Sequence, residues 1–186
     1  RHGFIVVRRD AGIDTPQDLV GKRLGFLRWV QTAAVWIRGT LMDEYGVTPN
    51  NSQWHVASLH HWDDGSTDTT LKLPGGSVIE VVPGDGSAAE RAMRALREGH
   101  LDMLGVTETQ LPQLLDDPAL KRLFEDYREV ETQYFTKTQI LPIMHVLAVR
   151  RAVLEQNPEI APALFGLFSE AKRQARQLYA NTPSMI

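Results

Sequence analysis

The feature that most constrains this chain is an alternation of short aliphatic, β-branched runs with amphipathic stripes that stop at glycine. Phe4-Ile5-Val6-Val7 is the first run, and it closes at Asp10-Ala11-Gly12 as a strand does before a turn. Arg23 to Leu27, Gln53 to Ala57, Val78 to Val82, Leu101 to Val106 and Leu141 to Val149 repeat the signal. Between the strands, Val30, Ala34, Ile37, Leu41 and Tyr45 recur at steps of three and four, the period of a helix with one buried face, and Gly46 ends the stripe. Thr15-Pro16-Gln17-Asp18 and Ser87 with Glu90 pair a hydroxyl N-cap with an acid three residues on, the pattern of a helix start. Ala89, Ala92, Met93 and Leu96 then share a face before Gly99. Leu111 to Phe124 reads as two short helices broken at Asp117-Pro118, Ser58 to Ser77 as loop, and Tyr127 to Phe135 as a connection. A final helix carries Ile160, Leu164, Leu167, Ala171 and Leu178. Strand followed by helix over short connections predicts an α/β fold, a mostly parallel sheet with helices on both faces in three αβα layers. The last helix has no later strand to pack beside, which predicts a piece of a larger molecule.

Composition removes several function classes. With 42% hydrophobic and 23% charged residues in 186, the chain can bury a real core, which excludes disorder and fibre. Twenty Lys and Arg against 23 Asp and Glu leave net −3, so no basic surplus exists to neutralise a phosphate backbone, and nucleic acid is not an expected partner. No apolar run approaches the roughly 18 to 20 residues that a membrane-spanning helix needs. With no cysteine there is neither a disulfide nor a thiolate metal site.

Two places carry chemistry on residue grounds alone. The first is Leu27-Arg28-Trp29-Val30-Gln31-Thr32-Ala33-Ala34, which leaves a strand and enters a helix, where unpaired N–H groups and the positive dipole end favour a carboxylate or phosphate. Gln31 or Thr32 adds a side-chain donor, unless Thr32 only caps its own helix. Trp29, in the connection, can wall an aromatic ligand, whereas Trp36 is most simply core. The second is His145, inside the apolar run Ile140 to Leu147, where a buried imidazole must find a partner and a neutral one suits proton transfer. A satisfied structural histidine is the competing reading. His60-His61 with His55 lacks any metal-ligand spacing, so no metal is expected there. Pro83-Gly84-Asp85-Gly86-Ser87 lacks the phosphate-loop spacing and reads as a turn plus cap.

Asp18-Leu19-Val20-Gly21-Lys22-Arg23-Leu24-Gly25 resembles the entry into the second lobe of type 2 periplasmic-binding-protein folds. Gln31-Thr32-Ala33-Ala34-Val35-Trp36-Ile37-Arg38-Gly39, Asp43-Glu44-Tyr45-Gly46-Val47, Phe124-Glu125-Asp126-Tyr127-Arg128 and Pro142-Ile143-Met144-His145-Val146 follow in order. Together they resemble the 4,5-dihydroxyphthalate decarboxylase family. The resemblance implies a second lobe over residues 11–140, with residues 1–10 and 141–186 as crossing strands and a partial return to the first lobe. Two stretches depart from the family pattern. Ala57-Ser58-Leu59-His60-His61 replaces a Gly-Gly-Leu-Glu-like turn, and Gly105-Val106-Thr107-Glu108-Thr109 stands where Ser, Ala and Arg are usual, which removes a cationic carboxylate clamp.

What the resemblance implies for function is a cofactor-free decarboxylation of a dihydroxylated aromatic diacid held between lobes. His145 is then the acid and Tyr134 its helper, with Trp29, Gln31, Thr32, Ala33 and Thr107 on the substrate. The expected partner is a small aromatic carboxylate, the expected compartment the cytoplasm, and homo-oligomerisation is left open. A solute-binding protein of an ABC-type transporter uses the same cleft without chemistry, and a leader peptide would place it in the periplasm. A ligand-sensing homologue is a third reading.

Overall fold

The structure is a computed structural model that describes residues 1–59 and 69–181. Its elements divide into two compact units, residues 1–144 and 145–186. The first unit is built on a seven-stranded sheet of order β4-β5-β3-β2-β6-β1-β7. The strands are β1 (Ile5–Arg8), β2 (Arg23–Arg28), β3 (Gln53–Ser58), β4 (Thr70–Lys72), β5 (Val78–Val81), β6 (Met103–Gly105) and β7 (Leu120–Arg122). The central four, β5-β3-β2-β6, run parallel. β1 joins antiparallel between β6 and β7, and β4 antiparallel outside β5.

Alternation along the strands divides the core between the two faces of the sheet, as a period of two requires. Leu24, Phe26, Trp54, Val56 and Met103 pack with Ala34, Ile37 and Leu41 of helix α1 (Thr32–Tyr45). Leu27, Ala57 and Leu104 pack with Ala92 and Leu96 of helix α2 (Ala88–Arg97). The capping boxes at Thr15/Asp18 and Ser87/Glu90 form as predicted, although the first opens only a 3-10 turn. Gly46 closes α1 in the left-handed region at φ 69°.

Two close approaches fix the packing of β6 against β2. A Cβ at Gly105 would overlap the Phe26 ring, and one at Gly25 would overlap Leu101. Gly105→Ala is therefore expected to destabilise by about 1–3 kcal/mol, because the obstructing atoms belong to a buried aromatic ring with nowhere to move. A urea midpoint equal to that of the unaltered chain would contradict this packing.

An ion pair locks the other end of the same two strands. Asp102, 8% exposed, accepts from the Arg23 backbone N–H (3.0 Å) and from its guanidinium Nε (3.0 Å) and Nη2 (2.7 Å). Burial opposes ionisation of Asp102, but these bonds outweigh it and hold the carboxyl below the usual carboxylate range. A lowered folded-state pKa contributes stability above the unfolded value, which is lost as pH falls through the folded one. Asp102→Asn is expected to cost about 2 kcal/mol at pH 7, discounted because Arg23 is partly in water, and to flatten the acid limb of a stability–pH curve. An unaltered acid limb would contradict the assignment.

Four expectations are corrected. Thr70–Lys72 is a strand, not loop, because it pairs with β5 through Leu71↔Ile79. Leu120–Arg122, expected as a second short helix after Pro118, is an edge strand bonded to β1. Residues 127–138, expected as a connection, form helix α4 (Tyr127–Thr138), preceded by the short α3 (Leu111–Leu115). Residues 141–150 form no strand: they have no ladder partner and no regular secondary structure, and Leu141 and Val146 are exposed (76% and 81%). An apolar β-branched run has strand propensity, yet it becomes a strand only where a neighbouring strand supplies ladder partners.

The second unit contains α5 (Arg151–Gln156) and α6 (Ile160–Asn181). Its apolar side chains, including Phe165, Leu167 and Phe168, are largely exposed. Among the described residues no helix is long and apolar enough to cross a membrane.

Candidate functional site

The four parallel strands end together at Val81, Ser58, Arg28 and Gly105, and α1, α2 and α3 follow three of these ends. Open α/β sheets bind ligands outside such carboxyl ends, where helix N-termini converge. The two long helices starting here differ in one respect. At α2 the Glu90 carboxylate accepts from the Ser87 N–H (2.8 Å) and hydroxyl (2.7 Å), so the chain's own acid occupies that positive end. At α1 the N-cap is Gln31, which makes no side-chain cap bond, and Thr32 is the exposed first helical residue. Thr32 therefore does not cap its own helix, and among the described residues the first-turn amides of Thr32 and Ala33 have no side-chain acceptor.

Basic and aromatic groups surround that terminus. Trp29 is half-buried, edge-on to Trp54 at 6.0 Å. The Arg38 guanidinium lies 3.6 Å from the Trp29 ring centroid, and its Nη1 donates to the Trp29 carbonyl (2.6 Å). One face of Trp29 is thus covered by a cation rather than open to a ligand. Burial pushes the Arg38 pKa down to about 10. Arg28 closes β2, and its Nε is shielded from water without a hydrogen-bond partner. Arg28 was not among the residues singled out from the sequence, because a lone arginine at a strand end carries no motif.

The other predicted residues are placed as follows. Thr107 lies just beyond β6, and its hydroxyl donates to Gln110 Oε1 (2.6 Å) while its carbonyl accepts from Leu111 (3.2 Å), so it is engaged at the start of α3. Trp36 is not core: it is half-buried, and its Nε1 donates to the Ile143 carbonyl (2.8 Å). Tyr134, on α4, meets His2 edge-to-face with ring centroids 5.7 Å apart. His2 is 2% exposed with both ring nitrogens unpartnered, and burial lowers its pKa to about 4. No sequence signal marks His2, since Arg1-His2-Gly3 has neither periodicity nor motif. His145 belongs to the second unit and is exposed rather than buried in a strand. There it lines an apolar cavity of about 680 Å³ with Val146, Leu154, Leu164, Phe165 and Phe168.

A separate groove of about 430 Å³ beside α2 includes His55, Glu80, Arg91 and Arg94. His55 Nδ1 lies 3.7 Å from Glu80, Nε2 is buried and unpartnered, and burial lowers the ring's pKa. His60 and His61 lie outside the described residues. Among the described residues no group of three or more metal-ligating side chains is assembled.

A parallel α/β sheet with helix N-termini at its carboxyl edge is the arrangement described so far, and comparison with known proteins places the class of its fold. The chain superposes on the periplasmic aliphatic sulphonate binding protein SsuA of Escherichia coli with a TM-score of 0.54 at 15% identity, over 95% of this chain and 46% of that one. The fold is therefore of the periplasmic-binding-protein kind. By sequence, the chain is 34% identical over 184 residues to the 4,5-dihydroxyphthalate decarboxylase of Comamonas testosteroni, covering 98% of this chain and 54% of the relative. It is 32% identical over 102 residues to that of Pseudomonas putida, covering 55% and 38%. The resemblance to the 4,5-dihydroxyphthalate decarboxylase family thus holds along nearly the whole chain, which spans about half the length of the first of these relatives. No family model matches.

Proposed function

We propose that this chain takes part in the decarboxylation of a dihydroxylated aromatic dicarboxylic acid of the 4,5-dihydroxyphthalate kind. One observation carries the reading: an uncapped α1 terminus, with no acid in its first turn, stands at the carboxyl edge of the sheet in a chain of which 98% aligns with about half of a 4,5-dihydroxyphthalate decarboxylase. The Thr32 and Ala33 amides hold one ring carboxylate, Gln31 and Trp29 border it, and Thr107 lies at the neighbouring strand end. The ring carbon bearing the second carboxylate accepts a proton, aided by electron release from the hydroxyl para to it. The C–C bond then breaks, its electron pair returns to the ring, and CO2 leaves as aromaticity is restored. His145 is the proposed proton donor and Tyr134 its helper, and this scheme uses no cofactor. Residues 11–140 act as the second lobe of such a fold. A cytoplasmic location accords with catabolism of an aromatic acid.

Following CO2 release from 4,5-dihydroxyphthalate tests the reading. The unaltered protein is expected to release CO2, and His145→Ala to do so about 10²-fold more slowly or worse, the range of a placed general acid. Tight binding of the diacid without CO2 would overturn the decarboxylase and leave a solute carrier. Full turnover in His145→Ala would remove His145 from the proton-transfer role.

A further inference from the structure

We propose that Arg28 is the cation that receives the second carboxylate of the diacid, an inference that rests on the functional reading above. Four observations converge on it. Arg28 is the last residue of β2 and stands three positions before the Gln31 N-cap, so its side chain starts at the edge where the α1 amides end. By strand alternation it shares a face with Leu24 and Phe26, the face on which α1 packs. Its Nε is withdrawn from water without a partner, and among the described residues its guanidinium makes no hydrogen bond or ion pair. A shielded guanidinium donor left unpaired is costly unless something outside the chain accepts from it.

Arg38, on the same face, also has no acidic partner among the described residues, and lies over Trp29 and Phe26 (3.6 and 5.7 Å). The contrast with Arg23, paired to Asp102 at the opposite end of β2, is direct. Two guanidinium groups and a helix N-terminus therefore belong to the β2–α1 junction, and among the described residues neither guanidinium is paired with a carboxylate. Such a site favours a dianion over a monoanion, and ortho carboxylates fit one fork plus one helix terminus.

The test uses phthalate and benzoate, which lack the para hydroxyl and so bind without turnover, titrated against the full chain. Phthalate is expected to bind at least tenfold more tightly than benzoate. Arg28→Gln is expected to erase that preference while changing the benzoate Kd less than about twofold, and Arg28→Lys to retain part of it, since it keeps charge but loses the fork. Should the Gln variant fail to fold, the intermediate preference of Arg28→Lys carries the test. An unaltered phthalate preference in these variants would overturn the role of Arg28 and leave the functional reading standing. No phthalate binding to the unaltered chain would overturn both.

Discussion

Trp54→Ala is expected to destabilise the chain by about 3–5 kcal/mol, the range for removing a fully buried large aromatic side chain. Trp54 is 2% exposed on β3, stacked on Phe26 at 5.7 Å and met edge-on by Trp29 at 6.0 Å. Its Nε1 donates to the Thr48 carbonyl (3.1 Å), so the side chain also fastens the turn after α1 to the sheet. The surrounding residues belong to three elements and cannot collapse together into the vacated space, which places the cost toward the upper end. Trp54→Phe keeps most of the ring packing, leaves the Thr48 carbonyl without that donor, and is expected to cost about 1–3 kcal/mol. Because Trp54 supports Trp29, the alanine variant should also weaken binding at the β2–α1 junction. Urea unfolding followed by circular dichroism checks the order. A loss below about 1 kcal/mol for Trp54→Ala would contradict the packing described.

Thr32→Glu separates structure from function by moving them in opposite directions. Thr32 is exposed at the first position of α1, where a negative side chain interacts favourably with the helix dipole and adds about 0.3–1 kcal/mol. The same carboxylate competes with the proposed substrate carboxylate for the positive end of α1, much as Glu90, from the third helical position, fills that of α2. Affinity for an aromatic carboxylate is therefore expected to fall at least tenfold while the unfolding midpoint stays level or rises. Thr32→Gln, equal in size and uncharged, should bind almost normally. A glutamate variant that binds as tightly as the unaltered chain would show that α1 does not receive the ligand.

The parallel core and its helices were legible because each element carries its own periodicity and stops. Gly46, the Ser87/Glu90 box and the Ala34-Ile37-Leu41 stripe are local signals, and the structure keeps them. What failed depended on partners. Residues 120–122 and 70–72 are three-residue edge strands whose identity comes from β1 and β5, and no window that short has a readable period. Residues 141–149 failed in the opposite sense, having strand propensity without a strand to pair with. At the site, the α1 terminus was readable from strand-to-helix spacing, whereas His2 and Arg28 were not. Both are conspicuous only through what they lack, and missing partners appear only after the chain is folded.

The most direct test of the central claim follows the backbone amides of isotope-labelled protein by NMR during titration with 4,5-dihydroxyphthalate. Saturable shifts centred on Thr32 and Ala33, with the Arg28 side-chain Nε signal moving at the same concentration, are the predicted result. Shifts confined to the groove around His55 and Glu80, with the α1 terminus silent, would contradict it.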